Sequence, residues 1–141
     1  MNQRAKKYFV VAGEPSGDIH GGKLISAIQN IEPDSSFVGH GGDIMKKSGM
    51  QILRHTNDLA IMGFVEVVRH LPRLIKIMRE TIEAISRLKP DRVILIDYPG
   101  FNLRLAKNIH RLDIPVSYFI LPQAWAWRKK RIESMKKFLD Q

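Results

Sequence analysis

An α/β fold built on a parallel sheet flanked by helices is predicted by three observations. Short apolar runs, in the strands Tyr8 to Ala12 and Arg92 to Ile96 the clearest, alternate with longer stretches whose apolar residues recur at three- and four-residue spacing. Both runs end in loops of turn formers, GEPSGD and DYPGFN, and each loop opens a helical pattern. The chain has 141 residues, 44% hydrophobic and 26% charged, which is the usage of one ordinary globular domain. At that length roughly two thirds of the unfolded surface can be buried.

Taken in order, Tyr8 to Ala12 reads as a strand, and the helix after GEPSGD is expected to begin near Asp18. Its buried face would carry Leu24, Ile25 and Ile28, and Pro33 would mark its end. Ser36 to Gly39 reads as a second strand, after which Gly39, Gly41 and Gly42 break the chain before a helical segment from Asp43 to Lys47. Gln51 to Arg54 is read as a third strand. From Asp58 to Lys89 the pattern is helical, interrupted before Pro72, with Leu71, Leu74, Ile75, Met78, Ile82 and Ile85 on one stripe. Arg92 to Ile96 is a buried strand, followed by a helix containing Leu103, Leu105, Ala106 and Ile109. Ile114 to Ile120 is a further strand, LPQAWAW a loop, and Arg128 to Leu139 a basic helix. There is no internal repeat and no linker, so residues 1–141 read as one domain. The last helix has no strand after it, which leads to the expectation that the chain is part of a longer one or is completed by a partner.

Composition excludes several chemistries. Without cysteine there can be no disulfide scaffold, thiolate metal site or cysteine nucleophile. The five histidines show no HExxH or other ligand spacing, and Ser16 does not sit in a GxSxG elbow. No metal and no cofactor is expected. No run is long enough to span a bilayer, and YFVVAG is too short for a signal-peptide core, so a cytoplasmic protein is expected. The net charge of +9 leaves nucleic acid, an anionic membrane face and phosphorylated small molecules as partner classes. WAWRKKR would suit bases and phosphates, but no RNP-like, KH or helix-turn-helix signature surrounds it, and no nucleic-acid partner is expected.

In open α/β sheets the ligand crevice lies beyond the carboxyl ends of the strands, which directs attention to three loops. GEPSGD lacks the lysine of a phosphate loop and carries Glu14 and Asp18, carboxylates that suit sugar hydroxyls better than a pyrophosphate. Ser16 and Asp18 are equally the residue types that cap a helix, and both uses stay open. GHGGDIM holds Gly41 and Gly42, where the backbone either turns tightly or approaches a ligand closely. DYPGFN places Asp97 at the end of a strand, partly desolvated by Tyr98 and Phe101. A carboxylate so placed is expected to serve as a general base, or else to cap the following helix. The stripe Leu71, Leu74, Ile75 and Met78 is flanked by Arg69, Arg73, Lys76 and Arg79. A helix of that composition rests either on an anionic membrane or on the protein's own core.

In sequence order, AGEPSGD, GHGG with Met45, MGFVEV, DYPGFNLRLA and PQAWAWRKKRI resemble the lipid-A-disaccharide synthases. The resemblance runs from Tyr8 to the C-terminus. It implies a glycosyltransferase of GT-B architecture, two Rossmann-like lobes facing a cleft, of which this chain would be the N-terminal, acceptor-side lobe. Members transfer 2,3-diacylglucosamine from its UDP donor to 2,3-diacylglucosamine 1-phosphate, releasing UDP and the β-1,6-linked disaccharide phosphate. On that pattern Asp97 would be the base. Glu14, Ser16, Gly17, Asp18, Gly41, Gly42 and Asn102 would meet the acceptor, and Arg128 and Arg131 would hold a phosphate. Leu71, Leu74, Ile75 and Met78 would face the cytoplasmic side of an anionic inner membrane, with the enzyme peripheral to it. Self-association is expected from an open sheet edge. Relatives often carry a second acidic residue, DxPDFN, where this chain has Gly100, and a serine where it has Leu121. The family is more than twice as long, so the nucleotide-sugar lobe is expected to be missing and the chain alone to be inactive. The alternative is a non-catalytic module that binds a membrane or an acyl sugar.

Overall fold

The computed structural model describes residues 4–59, 71–120 and 136–140. Its elements are β1 (Lys7–Ala12), α1 (Pro15–Ile31), β2 (Ser36–Gly41), α2 (Asp43–Lys47), β3 (Gln51–His55), α3 (Thr56–Leu59), α4 (Leu71–Leu88), β4 (Arg92–Ile96), α5 (Pro99–His110) and β5 (Val116–Phe119). All five strands are parallel, in the order β3-β2-β1-β4-β5. The chain leaves β1 toward β2 and β3, then returns to the other side of β1 to lay down β4. This reversal opens a crevice between the carboxyl ends of β1 and β4, where Ala12 pairs with Ile96.

β1 is a continuous apolar run because both of its faces are covered. Phe9 and Val11 point into a core shared with Ile77 and Ile85 of α4 and with Leu105 and Ile109 of α5. Tyr8, Val10 and Ala12 alternate to the opposite face, against Ile25 of α1 and Met45 of α2. Three predicted boundaries move, and the first is that β2 runs on through Gly41 instead of breaking at Gly39. α1 starts at Pro15 rather than near Asp18, because proline's fixed φ and missing N–H suit the first helical position. β5 begins after Pro115, which has no N–H to donate to a ladder, and ends before Ile120, whose φ is 61°.

His40, second to last in β2, is buried beneath α4 and is 2% exposed. The Thr81 hydroxyl donates to the Ile77 carbonyl (2.6 Å) and so must accept from His40 Nε2–H (2.8 Å), which leaves Nδ1 as a bare acceptor with no partner among the described residues. Burial, reinforced by the Arg54 guanidinium of β3 and opposed by Glu80 of α4, pushes the imidazole pKa down to about 4. Between pH 6.5 and 4 the unfolded chain therefore takes up a proton that the folded chain refuses, so stability falls as pH drops through this window. It stops falling from this cause below the folded value. From pH 7 to pH 5 the loss should be about 2 kcal/mol. Urea midpoints of the wild type and of His40→Gln at the two pH values check this, since the substituted chain should lack that share of the slope.

Candidate functional site

The crevice at the sheet's reversal point is walled by the turn after β1, Gly13 and Glu14, and the turn after β4, Asp97 and Tyr98. Asp97 and Tyr98 both adopt left-handed backbone conformations, with φ of 45° and 50°. Such residues cost on the order of 1–3 kcal/mol each and persist only where their surroundings hold them. Here the hold is visible. The Asp97 N–H donates to Phe119 O (3.2 Å), and its carbonyl accepts from the Tyr118 hydroxyl and from Asn102 Nδ2 (2.8 Å). With its backbone pinned on both sides, the half-buried Asp97 carboxylate stands at the end of β4, and it makes no hydrogen bond or ion pair among the described residues.

Tyr98 closes the crevice from below. Its hydroxyl donates to Leu59 O at 2.8 Å, and burial, then the Glu14 carboxylate, holds its pKa above the usual phenol range. Its ring lies against the Gly13 backbone, so a Cβ at position 13 would sit 2.4 Å from Tyr98 Cδ1. Gly13→Ala should therefore cost on the order of 2 kcal/mol, and much less when Tyr98 is replaced by Gly. A double-mutant cycle in urea tests the pairing.

Of the residues expected to meet an acceptor, Glu14 and Ser16 are exposed at the crevice, whereas Gly17, Asp18, Gly41, Gly42 and Asn102 are buried in the framework. This corrects the reading of GEPSGD as a surface lined by both its carboxylates. Asp18 turns inward and accepts from the backbone N–H groups of Gly42 (2.8 Å), Ile44 (3.1 Å) and Met45 (2.9 Å), so it caps α2 rather than its own helix. A Cβ at Gly42 would lie 2.4 Å from Asp18 Oδ2, and one at Gly41 would lie 2.6 Å from Met45 Sδ. These glycines make room for the carboxylate and the thioether. Asn102 is fully buried and its Nδ2 faces Val11 O (3.4 Å), Ile96 O (3.3 Å) and Asp97 O, which ties together the ends of β1 and β4. It positions Asp97 from behind.

A groove of about 420 Å³ leads away from the Asp97 turn between α4 and α5. Leu71, Leu74, Ile75 and Met78 form its α4 wall, with Leu71 and Ile75 exposed. The expected membrane-facing stripe thus lines a groove instead of resting wholly on the core. Phe101, Arg104 and Asn108 form the α5 wall, and Tyr98 and Gly100 close the end next to Asp97. Arg104 and Asn108 were not legible as site residues. Their only signal was the spacing 100, 104 and 108, which repeats every helical turn. Among the described residues no cluster of three or more His, Asp or Glu could hold a metal, and no helix is long and apolar enough to cross a membrane. Arg128 and Arg131, the motifs at 62–67 and 122–132, and most of the basic helix lie outside the described residues.

A family model described as Lipid-A-disaccharide synthetase matches residues 8–141. Among curated relatives, a lipid-A-disaccharide synthase of Myxococcus xanthus is 40% identical over 95% of this chain, and one of Acidobacterium capsulatum is 44% identical over 96%. The chain covers 35% and 34% of those two proteins, about a third of their length. Solved structures with the same fold include the UDP-GlcNAc 2-epimerase of Neisseria meningitidis bound to UDP-GlcNAc, with a TM-score of 0.55 at 10% identity, covering 94% of this chain and 38% of that one. The calicheamicin glycosyltransferase has a TM-score of 0.50 at 15% identity, covering 99% of this chain and 38% of that one. These likenesses make the sheet a Rossmann-like lobe of the GT-B kind.

Proposed function

Because the chain belongs to the lipid-A-disaccharide synthetase family, we propose that it forms the acceptor side of a glycosyl transfer from UDP-2,3-diacylglucosamine to 2,3-diacylglucosamine 1-phosphate. The observation that carries this reading is the Asp97 carboxylate, free of partners among the described residues, in the turn whose next residue, Tyr98, lines an apolar groove. Asp97 takes the proton from the acceptor's 6-hydroxyl as that oxygen attacks the anomeric carbon of the donor, while the bond to UDP breaks on the opposite face. Glu14 and Ser16 accept and donate hydrogen bonds to the sugar hydroxyls. An acyl chain lies along Leu74, Ile75 and Met78, and the exposed Leu71 and Ile75 dip into the cytoplasmic face of an anionic membrane that holds the rest of the substrate. Charge building on the departing UDP calls for donors from outside these residues, and Arg128 and Arg131 are candidates for that role.

Two measurements test the proposal. The chain should bind the acylated glucosamine phosphate in detergent. Joined to the remaining two thirds of the Myxococcus xanthus relative, it should release UDP when both substrates are present. Absence of acceptor binding overturns the reading. Binding without turnover in the joined protein favours a module that only holds acyl sugars.

A further inference from the structure

We infer that Arg104 reads the anionic head of the amphiphile seated in the α4–α5 groove, and that Gly100 keeps its guanidinium available for that task. The inference rests on the proposed function and deepens it by assigning the acceptor's phosphate to a residue on this lobe. Arg104 is the single charged side chain among the groove's described lining residues. On α4, Arg73 is paired with Asp58 (3.6 Å) and Lys76 with Glu80 (3.9 Å), and Arg79 does not line the groove, whereas Arg104 lines it, is exposed and has no ion pair among the described residues. Next to it, Asn108 Nδ2 donates to the Arg104 carbonyl (2.9 Å), which fixes Asn108 one turn further along the same wall.

Gly100 stands four residues before Arg104 on the same helix face, about 6 Å along the axis. A Cβ there would meet no atom within 4 Å, so the position is open to the groove, and it carries no side chain to compete for the guanidinium. An apolar trough with one unpaired cation at its rim fits a molecule with an alkyl chain and a phosphate, and the planar guanidinium can hold two phosphate oxygens at once. The occupant is a single phosphorylated acyl sugar, its chain in the groove and its phosphate at Arg104.

The test uses dodecyl phosphate and a neutral dodecyl glycoside as probes, each as monomer below its micelle concentration, with binding measured by calorimetry on the intact chain. The phosphate should bind about tenfold more tightly than the glycoside, and Arg104→Gln should erase that preference without weakening the glycoside. Gly100→Asp should also erase it, because the new carboxylate would pair with Arg104 one turn away. An acidic residue near the start of α5 is favoured by the helix dipole, so this variant should fold. Ile75→Ser should weaken both probes alike. A phosphate preference that survives Arg104→Gln overturns the inference. So does binding that appears only with anionic vesicles and never with monomers, since that would mean a membrane surface is the occupant. Because no turnover is read, failure of the glycosyl-transfer reading would show in UDP release and leave these affinities unchanged.

Discussion

Asp97→Asn is expected to lower kcat for UDP release by about 10²–10⁴ in a protein that joins this chain to the rest of a relative, with little change in acceptor KM. Asparagine is the diagnostic replacement because it keeps the shape of the side chain and tolerates the left-handed backbone observed at this position. Alanine would lose the short polar side chain that makes Asp and Asn tolerant of that conformation, at a cost on the order of 1 kcal/mol, and so mix a folding defect with a chemical one. The clamp from Phe119, Tyr118 and Asn102 acts on the backbone of residue 97, so it survives the substitution. Retention of near wild-type kcat would assign the base elsewhere. A raised KM with unchanged kcat would make Asp97 a binding group only.

Asp18→Ala is expected to be the most destabilising change at the GEPSGD loop, by about 3–5 kcal/mol. One carboxylate satisfies three backbone N–H groups at the start of α2, and its removal leaves all of them without that acceptor beneath α1. Each buried donor so orphaned costs about 1–3 kcal/mol, and partial entry of water moderates the sum. Ser16→Ala, two residues earlier in the same loop but exposed, should change stability by less than about 0.5 kcal/mol. Urea unfolding of both variants separates the two readings of the loop. Equal effects would mean that Asp18 is not the clamp described above.

Much of the architecture was legible from local pattern. β1 and β4 were readable because strands buried on both faces must be apolar without interruption, and the loops that follow them had to lie at the ligand end of the sheet. Asp97 was legible for the same reason, since it is the first polar residue after a strand whose last four residues are all buried. The joint roles were not. Whether Asp18 faces a ligand or a protein backbone depends on α2, whose N–H groups are supplied 24 to 27 residues later. His40 looked like one of several histidines without ligand spacing, and its partner Thr81 is 41 residues away.

Composition and periodicity by themselves determined the α/β class, the absence of cysteine chemistry and the two loops that bound the crevice. These follow from side-chain chemistry and from the 2.0 and 3.6 residue periods, which are properties of neighbouring residues. Tertiary structure alone decided that β4 lies beside β1 and that α4 and α5 leave a groove with Arg104 on its rim. It also decided which of the loop residues face inward. The physical reason is that burial, hydrogen-bond partnership and charge pairing are relations between segments distant along the chain. No local pattern states which segments will meet.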